Sequence, residues 1–243
     1  MSWRVPSQIP LPENFQGFDP RTRMPLPEFH QYERHLPHWR MPGVCYLTTF
    51  RLNDSIPRHV LEEMRAEMNH WKQRLLEAAS HHQGRVPEEE QQAWVQFQRN
   101  HLRKLESILD EGHGSCLLRK ELYRHRVEEA LHHFEGQRCQ MLAFTLMPNH
   151  VHVLCRLLAG HALEELTGSW KRHSSSAINA LRGMSGKLWQ QETFDRIIRD
   201  ADHYQQAVRY IAKNPLLAKL RHEEATVWFN DAVMEANGWK QKS

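Results

Sequence analysis

The chain has 243 residues and a formal net charge of +3, with 40% hydrophobic and 25% charged residues. That is long enough for one large domain or two modest ones around a buried core. It has no apolar run near the roughly 20 residues of a membrane span, no internal repeat and no low-complexity tract. Met1–Gly17 lacks a basic segment followed by an apolar one, so no signal peptide is expected. Cys45, Cys116, Cys139 and Cys155 are scattered without a CxxC pair. The expected setting is therefore reducing and cytoplasmic.

Residues 1–43 hold eight of the twelve prolines and little periodicity. They read as an extended N-terminal arm that Trp3, Phe15, Phe18 or Trp39 could pin to the body. "VCYLTTFRL" (44–52) is β-branched and aromatic, hence a first strand. From Pro57 to about Gln83 the apolar residues recur at spacings of three and four, the period of a helix. A second helix follows Pro87, with Glu88–Glu90 suited to its positive N-terminal end. "GHGS" (112–115) breaks the chain, so 57–115 reads as a helical insertion. Its mixed charge, with Trp71, Trp94 and Phe97 at helical spacing, suits a lid or pairing surface better than a DNA groove.

A third helix over 118–136 is expected to end at Gly136. Two strands, "RCQMLAFTLM" and "HVHVLCRL", meet at Pro148-Asn149, which is too short for anything but an antiparallel hairpin. Helix 161–183, a strand within 187–199 and helix 200–215 follow, the last expected to stop near Pro215. Without the insertion the order is strand–helix–strand–strand–helix–strand–helix. This is an α+β, ferredoxin-like antiparallel sheet with helices on one face and an extra C-terminal helix. The opposite face is expected to be open, and residues 221–243 to form a tail.

Side chains alternate across a strand. In "HVHVLCRL", Val151, Val153, Cys155 and Leu157 share one face, while His150, His152 and Arg156 share the other. Two imidazoles two residues apart are spaced to hold one ion, although a solvated polar face has the same spacing. Two histidines leave a coordination shell incomplete. In "HYQQAVRYIAKN", Tyr204, Ala207, Val208 and Ile211 form an apolar stripe. His203, Gln206, Tyr210 and Asn214 fall on a neighbouring, mostly polar stripe, with Tyr210 and Asn214 one turn apart. A structural role for Tyr210 stays open on spacing alone. Residues 136–199 carry eight Lys and Arg against four Asp and Glu. Such a basic excess beside a candidate site suits a polyanionic substrate.

"LMPNHVHVL", then a helix, then "FDRIIRDADHYQQAVRYIAKNPLLAKL" resembles the single-tyrosine HUH transposases, and within them the REP-associated tyrosine transposases. The resemblance covers roughly 44–52 and 117–220, within a domain taken as 44–220. It implies His150 and His152 as the HUH pair, Tyr210 as nucleophile and Asn214 as third ligand to Mg²⁺ or Mn²⁺. The implied activity is cleavage and rejoining of single-stranded or hairpin DNA, including REP-like palindromes, through a 5′-phosphotyrosine. Lys171, Arg172, His173 and Arg156 are the expected DNA contacts, with Trp170 or Trp189 placed for base stacking or for core packing. Two other readings use the same residues: a hairpin-binding protein of this fold that does not cut, and a metal-dependent hydrolase with an activated water. No membrane partner is expected, and monomer and homodimer are equally compatible with the sequence.

Overall fold

The computed structural model describes residues 3–18, 30–33, 37–40 and 43–240, with backbone alone for 30–33 and 37–40. Trp39 as an anchor lies outside the described side chains. The chain divides into two units, one of Met1–Asn53 with Cys116–Ser243, the other of Asp54–Ser115.

In the larger unit, β1 (His30–Glu33) and β2 (Pro37–Arg40) pair as an antiparallel hairpin. The main sheet contains β3 (Cys45–Arg51), β4 (Cys139–Leu146), β5 (His150–Leu157), β6 (Phe194–Ile197) and β7 (Thr226–Phe229). Its order is β6-β3-β5-β4-β7, and every neighbouring pair is antiparallel. The helices are α3 (Glu121–His132), α4 (Leu163–Arg182), α5 (Ala201–Leu217) and α6 (Asp231–Ala236). With α3 between β3 and β4 and α4 between β5 and β6, the expected α+β order is present. Residues 221–240 are more than a tail, because β7 joins the β4 edge and α6 follows it. The four-residue run Thr226–Phe229 is too short to stand out from periodicity, and pairing with β4 supplies its order.

Two cores sandwich the sheet. Val151, Val153, Cys155 and Leu157 pack with Val127 and Leu131 of α3 and Leu166, Trp170 and Ile178 of α4. Leu154, Cys45 and Leu47 pack on the other face with Tyr204, Ala207, Val208 and Ile211 of α5. The second face is therefore covered, contrary to the expectation of an open one. The apolar stripe of α5 is what closes it, since an exposed stripe of that width would leave its hydrophobic area in water.

The arm seals the same side. Ile9 is buried, and Phe15 packs against Tyr204 with ring centroids 5.6 Å apart. Trp3 Nε1 donates to Leu220 O at 2.9 Å, and its ring stacks on His222. Phe18 N bonds Ile198 O at 3.2 Å. At Gly17 a Cβ would lie 2.1 Å from Arg199 O, so this crossing admits only glycine without a backbone shift.

Helix α5 starts on Asp200, whose carboxylate accepts from His203 N at 2.7 Å, a cap contributing about 1 kcal/mol. It runs two residues past Pro215 rather than stopping there. Ala218 N still reaches Asn214 O at 3.0 Å, so the missing proline N–H interrupts only the last turn.

The second unit consists of α1 (Arg58–His81) and α2 (Glu88–Asp110). Met64, Met68, Leu105 and Leu109 are buried, and Trp71, Trp94 and Phe97 cluster with centroids 5.1–6.2 Å apart. Ser115 N donates to Asp54 Oδ2 at 2.8 Å, which ties the two ends of the insertion together. Among the described residues no helix is long and apolar enough to cross a membrane.

Tyr204 is fully buried, and its hydroxyl has no hydrogen-bond partner. Tyr204→Phe removes a buried group whose desolvation costs about 1–3 kcal/mol. We expect the variant to melt above wild type, by roughly 2–4 °C per kcal/mol recovered. Tyr204→Ala loses the ring and should cost about 3–5 kcal/mol. Thermal melts of both variants check this, and a lower melting point for Tyr204→Phe contradicts it.

Candidate active site

Register places the site. In the β3–β5 ladder Thr49 lies opposite His152 and Arg51 opposite His150. Alternation turns His150 and His152 toward α5, alongside Leu154. Both imidazoles are 1% exposed, and their ring centroids are 4.7 Å apart at 79°.

Each Nδ1 has a partner: His150 Nδ1 lies 2.8 Å from Asn149 Oδ1, and His152 Nδ1 lies 2.7 Å from Thr49 Oγ1. From α5, the Tyr210 hydroxyl reaches to 3.4 Å from His152 Nε2, with its ring edge-on at 5.0 Å. Asn214 is 2% exposed, and its Nδ2 donates to Tyr210 O at 3.2 Å. Its amide is also close enough to the His152 ring to act as a hydrogen-bond partner. His150, His152, Tyr210 and Asn214, chosen from two segments 58 residues apart, thus meet in one place.

Burial pushes the His150 imidazole down to about 3. His152 also falls well below its usual range, first through burial and then through its neighbours His150 and Arg196. Both rings are neutral at pH 7, the form in which a nitrogen lone pair can bind a cation. Among the described residues no group of three His, Cys, Asp or Glu side chains converges to hold a metal ion. The donor set here is two imidazoles and one amide. It fits a divalent cation whose charge the protein leaves uncancelled.

The expected DNA contacts are distributed differently. Lys171, Arg172 and His173 sit on α4, across the sheet from α5. Lys171 is half-buried. Its Nζ donates to the carbonyls of Gln190, Gln191 and Glu192 at 3.1–3.2 Å and to Thr193 Oγ1 at 2.5 Å. Here the ammonium gathers a loop. Arg172 and His173 are exposed, and Arg172 donates to Ser169 Oγ at 3.1 Å. Arg156 donates to Glu13 O and so holds the arm. Trp170 and Trp189 are buried in the α3–α4 core, and Trp189 Nε1 donates to Ser174 Oγ at 2.9 Å. His203 Nδ1 accepts from Arg199 N at 3.2 Å.

The sequence by itself does not mark Thr49, Asn149 or Arg196 as site residues. Asn149 reads as a turn residue, and Thr49 as one more β-branched position. Arg196 was one of several basic residues until β6 paired with β3 and brought it beside His152.

The family model described as "Transposase IS200 like" matches residues 115–214, a span that contains all four site residues. Over those residues the chain is similar to IS200-like transposases. A solved structure described as a REP-associated tyrosine transposase bound to a REP hairpin is similar to this chain at 15% identity. It covers 77% of this chain and 73% of that one, with a TM-score of 0.39. No curated protein matches the chain. The matched span contains α3, β4, β5, α4, β6 and most of α5, whereas β3 and its Thr49 lie before it.

Burial, with Arg51 nearby, lowers Lys171 from 10.5 to about 8. The folded ammonium therefore releases its proton at lower pH than the unfolded one. Its contribution to stability grows as pH rises from 8 to 10.5 and is lost as pH falls through 8. Expressed as wild type minus Lys171→Met, unfolding free energy should rise across that window, with other titrating groups cancelling. Urea unfolding at pH 7, 8, 9 and 10 measures this, and a flat difference contradicts it.

Proposed function

We propose that the protein cleaves and rejoins single-stranded or hairpin DNA, with Tyr210 as the nucleophile. The Tyr210 hydroxyl 3.4 Å from His152 Nε2 carries the reading, because it sets a half-buried phenol against the edge of a cation-binding pair. The similarity of residues 115–214 to IS200-like transposases supports the same reading, and REP-like palindromes are the substrates that the sequence resemblance suggests.

In the reaction, the phenolic oxygen bonds to the phosphorus of a DNA phosphodiester as the P–O3′ bond breaks. The phenol gives up its proton and the departing 3′-oxygen takes one, leaving a 5′-phosphotyrosine and a 3′-hydroxyl. A later attack by a 3′-hydroxyl on the same phosphorus reverses the sequence and returns the tyrosine. His150, His152 and Asn214 would hold Mg²⁺ or Mn²⁺. The ion supplies Lewis-acid polarisation of the phosphate when bound. Packing of α5 holds the phenol within a fixed distance of the pair, so the nucleophile loses little freedom on reaction. Arg196, exposed and beside His152, would meet the phosphate backbone at the rim.

Tyr210→Phe removes one oxygen and keeps the ring. We expect the fold and DNA binding to survive, with melting lowered only by the loss of the 3.4 Å contact to His152 Nε2, while the covalent protein–DNA adduct disappears, whereas Tyr204→Phe keeps the adduct. Mass spectrometry of the trimmed adduct decides this. A peptide modified at Tyr204, or an adduct from Tyr210→Phe, overturns the assignment, and release of free ends without any adduct indicates a hydrolase.

Arg196→Gln should weaken binding to a single-stranded oligonucleotide and reduce the log–log salt slope by about 0.7, the loss of one phosphate contact. Fluorescence anisotropy titrations from 50 to about 200 mM salt test it. An unchanged slope puts the backbone contact elsewhere.

A further inference from the structure

Asn149 and Thr49 come from different parts of the chain, a turn and strand β3, yet each lies against the Nδ1 of one of two adjacent rings. Asn149 is fully buried, and its Oδ1 faces His150 Nδ1 at 2.8 Å. An amide oxygen can only accept, so the proton of that neutral imidazole sits on Nδ1 and the lone pair on Nε2. Thr49 Oγ1 faces His152 Nδ1 at 2.7 Å, while Tyr210 Oη, an O–H donor, lies near His152 Nε2. A ring that donates from Nδ1 to Thr49 and offers Nε2 to Tyr210 satisfies both neighbours. Both hydroxyls can also take the opposite roles, so at His152 the choice of the Nδ1–H form is part of the proposal.

We propose that Thr49 and Asn149 are positioning residues that hold His150 and His152 as Nδ1–H tautomers, leaving the Nε2 lone pair of each ring available to a cation. The lock acts through the imidazoles and needs no contact with DNA. Its chemistry also differs from the carboxylate partners common behind ligating histidines. An amide and a hydroxyl orient the rings without adding negative charge, so a divalent cation held there keeps its full charge toward a phosphate. The consequence for the cation rests on the reading of His150 and His152 as a ligand pair; the tautomers themselves do not.

The test uses the full-length protein labelled with ¹⁵N-histidine. Long-range ¹H–¹⁵N correlation spectra distinguish Nδ1–H from Nε2–H rings without any metal. Among the eighteen histidines, His150 and His152 are assigned by single His→Gln variants. We expect both rings as Nδ1–H in wild type. Thr49→Val keeps the side-chain shape and removes the acceptor, so His152 should lose its single tautomer while Thr49→Ser retains it. Asn149→Asp keeps an acceptor oxygen and should hold His150 as Nδ1–H. An Nε2–H ring at either position in wild type overturns the proposal, as does a folded Thr49→Val protein with His152 unchanged.

Manganese binding, followed by electron paramagnetic resonance of the free ion in a Tyr210→Phe background, gives a second readout. Loss of an orienting partner should weaken affinity about 10–100-fold in Thr49→Val, with Thr49→Ser close to wild type. Asn149→Asp should hold Mn²⁺ at least as tightly as wild type, yet cleave DNA more slowly when Tyr210 is present, because the added charge offsets that of the ion. Cleavage by Asn149→Asp at the wild-type rate overturns the neutral-partner argument. If the tautomers respond as expected but wild type binds no Mn²⁺, the lock stands and the metal reading falls.

Discussion

Two imidazoles buried between a sheet and a helix set the terms for the rest of the larger unit. Burying polar rings without partners costs several kcal/mol, so their surroundings must supply hydrogen bonds. Asn149, Thr49, Tyr210 and Asn214 do so from the hairpin turn, the neighbouring strand and helix α5. The same burial keeps both rings neutral, the form that the proposed cation site requires. A solvated histidine pair would spend part of its time protonated near pH 6 and lose that capacity.

Helix α5 performs two tasks with adjacent stripes. Tyr204, Ala207, Val208 and Ile211 anchor it to the sheet, while Tyr210 and Asn214 extend from the neighbouring stripe over the histidines. Anchoring and chemistry are therefore mechanically coupled, and a loosened apolar stripe would move the phenol. The arm reinforces this side through Phe15 on Tyr204, Arg156 on Glu13 O and the close passage of Gly17 over Arg199.

Positive charge in this protein has two uses that composition cannot separate. Lys171 and Arg156 bind backbone oxygens of their own chain, and buried Arg124 does the same. Its guanidinium donates to Leu118 O, Arg119 O, Glu223 O and Thr226 Oγ1 at 2.8–2.9 Å, tying β7 to the turn before α3. Arg196 and Arg172 keep their charges at the surface. A basic excess counted along the sequence mixes these internal braces with groups able to meet a phosphate.

Local pattern was enough to read most elements. Period-two alternation around His150 and His152, period-3.6 stripes on α5 and the Pro148-Asn149 turn each follow from neighbours within a few residues, which is why the strands, the hairpin and the pairing of Tyr210 with Asn214 were legible. The resemblance of "MPNHVH" and "RYIAKNP" then named the four site residues. What lay beyond the sequence depends on contacts between distant segments. Strand β7 exists because β4 offers it an edge. The covered face exists because α5 and the arm find the same apolar surface. Thr49 joins His152 only through the β3–β5 register, across 103 residues of chain. Lys171 looked like a DNA contact because its four acceptors are backbone and hydroxyl oxygens that a loop assembles only when folded. Sequence reports which side chains share a face. Tertiary structure decides what that face meets, because burial and long-range register are properties of the folded chain alone.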